Sequence, residues 1–577
     1  MARNRNKKLM PARAVTPQQA QRLQRQVQQS LKLAVRHHAA GRLAKAEGLY
    51  NQVLQADPDN PDALHLLGVV AHQEGDNERA VALISQALEH RPEFADAHSN
   101  LGNALRELGR MEEALASYYR AIALMPDLAE AHNNVGTALK ALGRPEDSLE
   151  NYHMAVALRP DYAEAYNNYG DALQELRRLE EALACYQRAI ALRPTYAEAY
   201  NNMGSALREL GRLEDAIESY QQALKLDPED PSTQANLAGL YISKLDDPGL
   251  AIAESNKGLT LLRRSTFGAA CDDAAVATLM KTGMPYFRLK HDVQQADYLA
   301  AQGHAVAGLD TFRQAGRALL DRSESAAEGV DAASPTLRPT RDEAAAMLPY
   351  LQAGHEIDLP EIAGGCLNCE TEWKEVETRY LESKNEIIHV DNLLSPAALA
   401  AFQTFSLASK VWLKDYPNKY LGAFSDRGFI SPLHFQLARE LQEMMPRVFG
   451  GHPLGRFWAF KYDATLGKGI NVHADFALVN LNFWITPDEY NLDPESGGLV
   501  VYDVPSPRNW HFKAYNENKD AIYQFLKDNK ADSVSVPHRC NRAVLFNSAY
   551  FHETDEIHFA EGYESRRINI TYLFGKR

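Results

Sequence analysis

Residues 93–126 read EFADAHSNLGNALRELGRMEEALASYYRAIALMP, and this stretch decides the fold of the N-terminal half. Leu101, Leu105 and Leu108 fall at i, i+4 and i+7, the spacing of one apolar helix face. Gly109 and Arg110 break the chain. Ala114, Tyr118 and Ala121 then form a second apolar stripe, which Pro126 ends. Gly102, Ala114 and Ala121 are small enough to let the two helices approach closely. Working outward, the unit repeats: Pro58, Pro92, Pro126, Pro160, Pro194 and Pro228 are each 34 residues apart. Gly68, Gly102, Gly136, Gly170 and Gly204 keep the same step, as do Tyr118, Tyr152, Tyr186 and Tyr220. A helical hairpin can bury its apolar face only by stacking on its neighbours, so the pattern predicts a solenoid.

The period and its signature positions resemble the tetratricopeptide repeat over residues 27–230, in about six units. Residues 231–321 read as a degenerate repeat and capping helices. The opposite face of the first helix in each unit carries Asn100, Asn134, Asn168, Asn202 and Asn236, beside Asn133, Asn167 and Asn201. One turn away stand Asp96, Glu130, Glu164 and Glu198. An amide offers both donor and acceptor, so a stacked Asn ladder suits the main chain of an extended peptide. The stripe resembles that of O-linked N-acetylglucosamine transferases, which implies peptide binding. The plain alternative is a solvated polar face.

Composition bounds the rest. The chain has 577 residues, too many for one core, and predicts several domains. Its net charge of −15 argues against nucleic-acid or anionic-membrane partners. Residues 1–26 run the other way, with Arg3, Arg5, Lys7, Lys8, Arg13, Arg22 and Arg25, and read as a mobile basic arm. They lack the apolar stretch of a secretory signal, and no long apolar run predicts a membrane span, so a cytoplasmic protein is expected. Five cysteines do not make a disulfide framework, and the single CxxC at Cys366 and Cys369 lacks the second pair that a zinc site needs.

Residues 323–341, which include Ser334-Pro335, shift to Ser, Ala, Glu, Pro and Thr, the composition of a boundary loop. The segment 322–384 reads as linker and helices. Beyond residue 385 short β-branched and aromatic runs replace the helical period, at 386–390, 456–462, 480–485, 499–502, 543–546 and 568–574. Helices at 396–407 and 432–445 precede most of them, which predicts a double-sheet fold with helices packed on one side. The fold class expected is therefore multidomain α + β.

His473 and Asp475 are two apart at an expected strand start, so both side chains point to one face. His552 follows the run 543–546. Two His and one carboxylate leave three positions of an octahedral ion open, the arrangement of non-haem Fe(II) oxygenases. A second HxD, His389 and Asp391, has a complete explanation as the turn into the helix that starts at Ser395-Pro396. In Arg567-Ile568-Asn569-Ile570-Thr571 the alternation places Arg567, Asn569 and Thr571 on one face. A guanidinium there can take a carboxylate in bidentate fashion, as the distal carboxylate of 2-oxoglutarate requires. Arg566, on the opposite face, is the competing candidate.

These segments, with Tyr462, Gly497-Gly498-Leu499 and Phe551-His552-Glu553, make residues 385–577 resemble the 2-oxoglutarate- and Fe(II)-dependent oxygenases of the prolyl-hydroxylase-like group. The resemblance implies a double-stranded β-helix, or jelly roll, with Fe(II) held by His473, Asp475 and His552 and with 2-oxoglutarate and dioxygen as co-substrates. It maps a 2-oxoglutarate contact onto Tyr462, for which a core aromatic is the alternative. The strand after the HxD departs from the family, which often has a Tyr there: this chain has Asn480, Asn482 and Trp484 on one face. Asn482 and Thr571 are taken as the polar groups beside Arg567. The carboxylate at Asp475 speaks against a halogenase, so hydroxylation is expected, of a protein or peptide carried by the repeats. The alternatives are a small-molecule oxygenase that uses the repeats for partner binding, and a non-catalytic peptide-binding scaffold. The insertion 505–537, with Trp510, Phe512, Tyr515 and an amphipathic stretch at 520–527, reads either as a border of the substrate entrance or as a surface helix.

Overall fold

The computed structural model describes the chain apart from residues 1–16, 245–246, 327–334, 417–418, 464–466, 508–509, 511–514, 517 and 576–577. Most of the basic arm, Ser334 of the boundary loop and Phe512 thus lie outside the described residues. From Pro17 onward the expected mobile arm is helical, as part of the helix Pro17–Ala39. The chain divides into two compact units, Met1–Leu226 and Asp227–Arg577.

The first unit is a series of helical hairpins. Pro61–Gln73 pairs with Asn77–His90, Ala95–Glu107 with Met111–Leu124, and the pattern continues to Leu213–Leu226. Close packing explains the small residues. A Cβ on Gly102 would lie 2.5 Å from the Tyr118 ring, and Gly136, Gly170 and Gly204 face Tyr152, Tyr186 and Tyr220 in the same way. Those four tyrosine side chains are fully buried, so each ring fills the space a side chain would otherwise occupy.

The second unit is rich in sheet. Its strands are β1 (Met284–Pro285), β2 (Thr336–Leu337), β3 (Ile387–Val390), β4 (Lys414–Tyr416), β5 (Tyr420–Phe424), β6 (Leu454–Tyr462), β7 (Gly467–Lys468), β8 (Val479–Trp484), β9 (Leu499–Pro505), β10 (Ser533–Val536), β11 (Ala543–Asn547), β12 (Tyr550–Thr554), β13 (Glu556–Ile557) and β14 (Ile568–Phe574). One antiparallel sheet has the order β3-β11-β8-β14-β6-β5-β4 and a second the order β10-β9-β12. The six strands expected from sequence are all present. Those missed are short or, like β12 after β11, follow the preceding strand too closely for alternation to separate them.

Alternation along β14 divides the sheet's two faces. Ile568, Ile570 and Tyr572 pack with Phe402, Phe405, Leu433 and Leu437 of the helices Pro396–Ala408 and Pro432–Met444. The same core takes in Ile242, Ala251 and Leu259 from Pro231–Lys244 and Pro248–Phe267. Residues 231–321 and 322–384 therefore share one body with the strands, and the division between compact units falls at Leu226, not in the loop near 323–341. Part of that loop is the strand β2, paired with β1. On the other face Trp484, Val544 and Phe546 pack against Leu499, Val501 and Val536 of the smaller sheet. The two sheets are thus layered on each other, and the candidate site residues lie between them.

Candidate metal and co-substrate site

His473 and Asp475 do not start a regular strand as expected. They sit in the segment between β7 and β8, fixed by pairing with β12: His473 N donates to His552 O at 3.0 Å and His552 N to His473 O at 2.7 Å. Asp475 N donates to Ser548 O at 3.1 Å. This pairing brings together residues 79 positions apart, a distance that periodicity within one segment cannot bridge. One ligand atom from each of His473, Asp475 and His552 falls within 4.8 Å of the others.

The tautomers are set by the main chain. Nδ1 of His473 faces Asn471 O at 2.9 Å, and Nδ1 of His552 faces Tyr550 O at 3.1 Å. A carbonyl can only accept, so both Nδ1 atoms carry hydrogen and Nε2 is left as the ligand atom of each ring, that of His552 3.4 Å from Asp475 Oδ2. Burial, with His552 beside it, pushes the His473 imidazole down to about 4, which keeps it neutral. Burial would raise the Asp475 carboxyl, but the hydrogen bond and charge of His552, with His473 and Asn480, hold it below the usual carboxylate range. Asn480 Nδ2 donates to Asp475 Oδ2 at 2.6 Å. Two imidazoles and a carboxylate, each held by a neighbour, are a donor set that a divalent metal can use.

Arg567 lies in the same pocket as the three, with Tyr462, Asn482, Asn569 and Thr571. Its side chain is 1% exposed. Nε donates to Gly497 O at 2.5 Å and one terminal nitrogen to Gly498 O at 3.0 Å, while the guanidinium carbon stands 4.8 Å from the Tyr462 ring centre. Among the described residues no carboxylate comes within ion-pair distance of it. Arg566, its neighbour, turns the other way and pairs with Asp463 at 3.2 Å and Gln294 at 2.9 Å. A buried charge without an ion-pair partner is costly. Asn482 Oδ1 in the pocket is buried and unpartnered, and the Tyr462 hydroxyl stands by Thr554 and Arg567. Asn482 Nδ2 donates to Thr571 Oγ1 at 2.9 Å. Tyr462 is thus a pocket wall as well as a core ring.

Trp458 and Phe460 share Tyr462's face of β6 and line the pocket with Ile470, Leu499 and Thr554. Sequence reasoning missed these, although the alternation that exposes Tyr462 also exposes Trp458 and Phe460. The alternative HxD is explained structurally: Asp391 takes a two-point ion pair from Arg542, at 2.5 and 3.0 Å. The insertion does not border the pocket among its described residues. Its helix Lys519–Asp528 packs behind the triad, where Ile522, Leu526 and Tyr515 meet Val472, Ala474 and Phe551. Tyr502 and Tyr523 there each donate to the Glu553 carboxylate at 2.6 Å.

In the first unit a groove of about 620 Å³ is lined by Asp96, Asn100, Glu130, Asn134, Glu164 and neighbouring side chains. The asparagines bond to one another across repeats: Asn134 to Asn103 at 3.1 Å, Asn168 to Asn133 at 3.1 Å and Asn202 to Asn167 at 3.2 Å. Asn100 donates to His65 Nε2 at 2.8 Å. Each amide keeps a second N–H for a ligand. Asn236 belongs to the second unit, on Pro231–Lys244.

The hairpins of the first unit define a helical-repeat solenoid, a scaffold class with an extended binding surface. Family models place the type: "Tetratricopeptide repeat" matches residues 37–99, 127–195 and 161–229, and "TPR repeat" matches 102–143. The N-terminal region is therefore made of tetratricopeptide repeats, which bind protein or peptide partners. No curated protein matches the chain. Solved structures similar to it include pilF of Pseudomonas aeruginosa, 20% identical at a TM-score of 0.34 over 37% of this chain and 96% of that one. A thermophilic TPR protein of Thermus thermophilus is 26% identical at a TM-score of 0.28, over 31% of this chain and 98% of its own. YrrB, described as a TPR protein with an unusual peptide-binding site, is 22% identical at 0.28, over 32% and 95%. Among the described residues no helix is long and apolar enough to cross a membrane.

Proposed function

We propose that the sheet region is a double-stranded β-helix dioxygenase domain that uses Fe(II) and 2-oxoglutarate, and that the chain hydroxylates a protein or peptide substrate recruited by the repeats. The observation that carries this reading is one pocket holding both the triad, with one ligand atom of each within 4.8 Å of the others, and Arg567, a buried cation with no carboxylate at ion-pair distance among the described residues. The topology supports it. From β6 to β14 the chain passes back and forth between the large sheet and the smaller strand groups, as a jelly roll does.

In this reading Nε2 of His473, Nε2 of His552 and a carboxylate oxygen of Asp475 hold Fe(II). Bound there, the metal supplies the oxidative chemistry that couples decarboxylation of 2-oxoglutarate by dioxygen to insertion of one oxygen into a substrate C–H bond, leaving succinate and carbon dioxide. The protein's own work is positioning. Asn480 fixes the Asp475 carboxylate, and the carbonyls of Asn471 and Tyr550 fix the imidazole tautomers. Arg567 receives the distal carboxylate, with Tyr462 Oη and Thr571 Oγ1 beside it. Trp458, Phe460, Ile470 and Leu499 keep water from the reacting atoms.

The deciding experiment is succinate release from 2-oxoglutarate by the full chain with Fe(II) and oxygen. Wild type is expected to turn over slowly without substrate, and His473→Ala to fall to about one hundredth or less. Absence of turnover in wild type, or its survival in the variant, would sink the reading.

A further inference from the structure

Two of the repeats pair an arginine at the end of the second helix with an acid 29 residues earlier, on the first helix of the same hairpin. Arg91 takes Asp62 at 2.8 Å and lies 4.6 Å over the Phe94 ring. Arg159 pairs with Glu130 and lies 4.4 Å over Tyr162. At the corresponding position between them the chain has Met125, which is 39% exposed and cannot pair. The acid in that unit is Asp96, and among the described residues it has no ion pair. Arg193 stacks 4.6 Å over Tyr196 without reaching Glu164, which is likewise unpaired among those residues.

Both bare carboxylates line the groove, with Glu130, against the single guanidinium of Arg106, itself 3.1 Å from Glu107. A second, independent feature marks the same wall. Ser99 is 8% exposed and lines the groove, and its hydroxyl has no hydrogen-bond partner among the described residues. That hydroxyl opens into the groove, where it can donate to or accept from a ligand.

We propose that this groove selects extended polypeptide segments bearing a Lys or Arg side chain, whose cation sits at Asp96 where the repeat has lost its own arginine, with Ser99 Oγ accepting from it. The inference rests on the repeats being the substrate-recruiting surface and names the class of peptide they take. Arginine suits the site best, since its fork can reach a carboxylate and a hydroxyl together.

The test uses the full chain and fluorescein-labelled extended peptides of one neutral sequence, carrying Arg, Gln or Glu at the same positions, followed by fluorescence anisotropy. The Arg peptide is expected to bind about fivefold more tightly than the Gln peptide at low salt and the Glu peptide more weakly still, with the gap narrowing as salt rises. Met125→Arg, which supplies the missing cation, and Asp96→Asn are each expected to bring the Arg peptide down to the level of the Gln peptide. Position 125 is exposed, so an unchanged melting curve shows that Met125→Arg is folded. Equal binding of the Arg and Gln peptides, or an Arg preference that survives both variants, overturns the charge selection and leaves peptide recruitment standing. Binding by none of the three overturns both.

Discussion

Arg566 and Arg567 are neighbours with opposite surroundings: the first has Asp463 and Gln294, the second the carbonyls of Gly497 and Gly498 and, among the described residues, no carboxylate at ion-pair distance. Replacing Arg567 with Lys keeps the charge but removes the two-point fork. It is expected to weaken 2-oxoglutarate binding by about 1.5–3 kcal/mol, at least tenfold in Kd by calorimetry, whereas Tyr462→Phe should cost about 1 kcal/mol. Equal losses from the two would place the anion elsewhere. A second residue is conformational. At the turn where the neighbouring repeats have Gly143 and Gly211, the chain has Arg177 at φ +62°. Glycine has no Cβ to strain there, so Arg177→Gly is expected to stabilise the repeats by about 0.5–1 kcal/mol in urea unfolding, less a small loss from the exposed Arg177–Glu209 pair.

Among elements, the pairing of β9 with β10 forms the roof over Arg567. A Cβ on Gly498 would stand 1.8 Å from Val536 O, and Gly498 O is itself an acceptor for Arg567. Gly498→Ala therefore has to part the two strands. We expect a loss of about 2 kcal/mol or more in urea unfolding, together with weaker 2-oxoglutarate binding. Unaltered stability would mean that the strands can shift freely. The strands that were legible in the sequence, β3, β6, β8, β9, β11 and β14, are β-branched or aromatic runs set apart by turn residues. β12, which carries His552, was not. It follows β11 after a two-residue turn, so the apolar run at its start reads as part of the same element.

For the whole molecule, the site lies in Asp227–Arg577 and the Asn100–Asn202 stripe in Met1–Leu226. A ligand that binds only the folded site stabilises the unit that contains it, by about 2.7 kcal/mol at a hundredfold excess over Kd. Mn(II) with 2-oxoglutarate is accordingly expected to slow hydrogen exchange in β8 and β14 while leaving the helix Ala95–Glu107 unchanged. His552→Ala should abolish the protection; protection that persists in the variant would disprove metal binding by the triad.

The sequence by itself determined the repeats, because a 34-residue period states packing directly: the same glycine meets the same tyrosine ring in every unit from Gly102 to Gly204. It also marked His473, Asp475 and Arg567 as candidates, through spacing of two residues on one face. What it could not contain were contacts between distant segments. The reciprocal bonds of His473 with His552, the turning of Arg566 toward Gln294, and the joining of residues 231–384 to the core of the strands were decided by tertiary structure alone. Local periodicity reports which side of an element is buried, and only folding chooses what it is buried against.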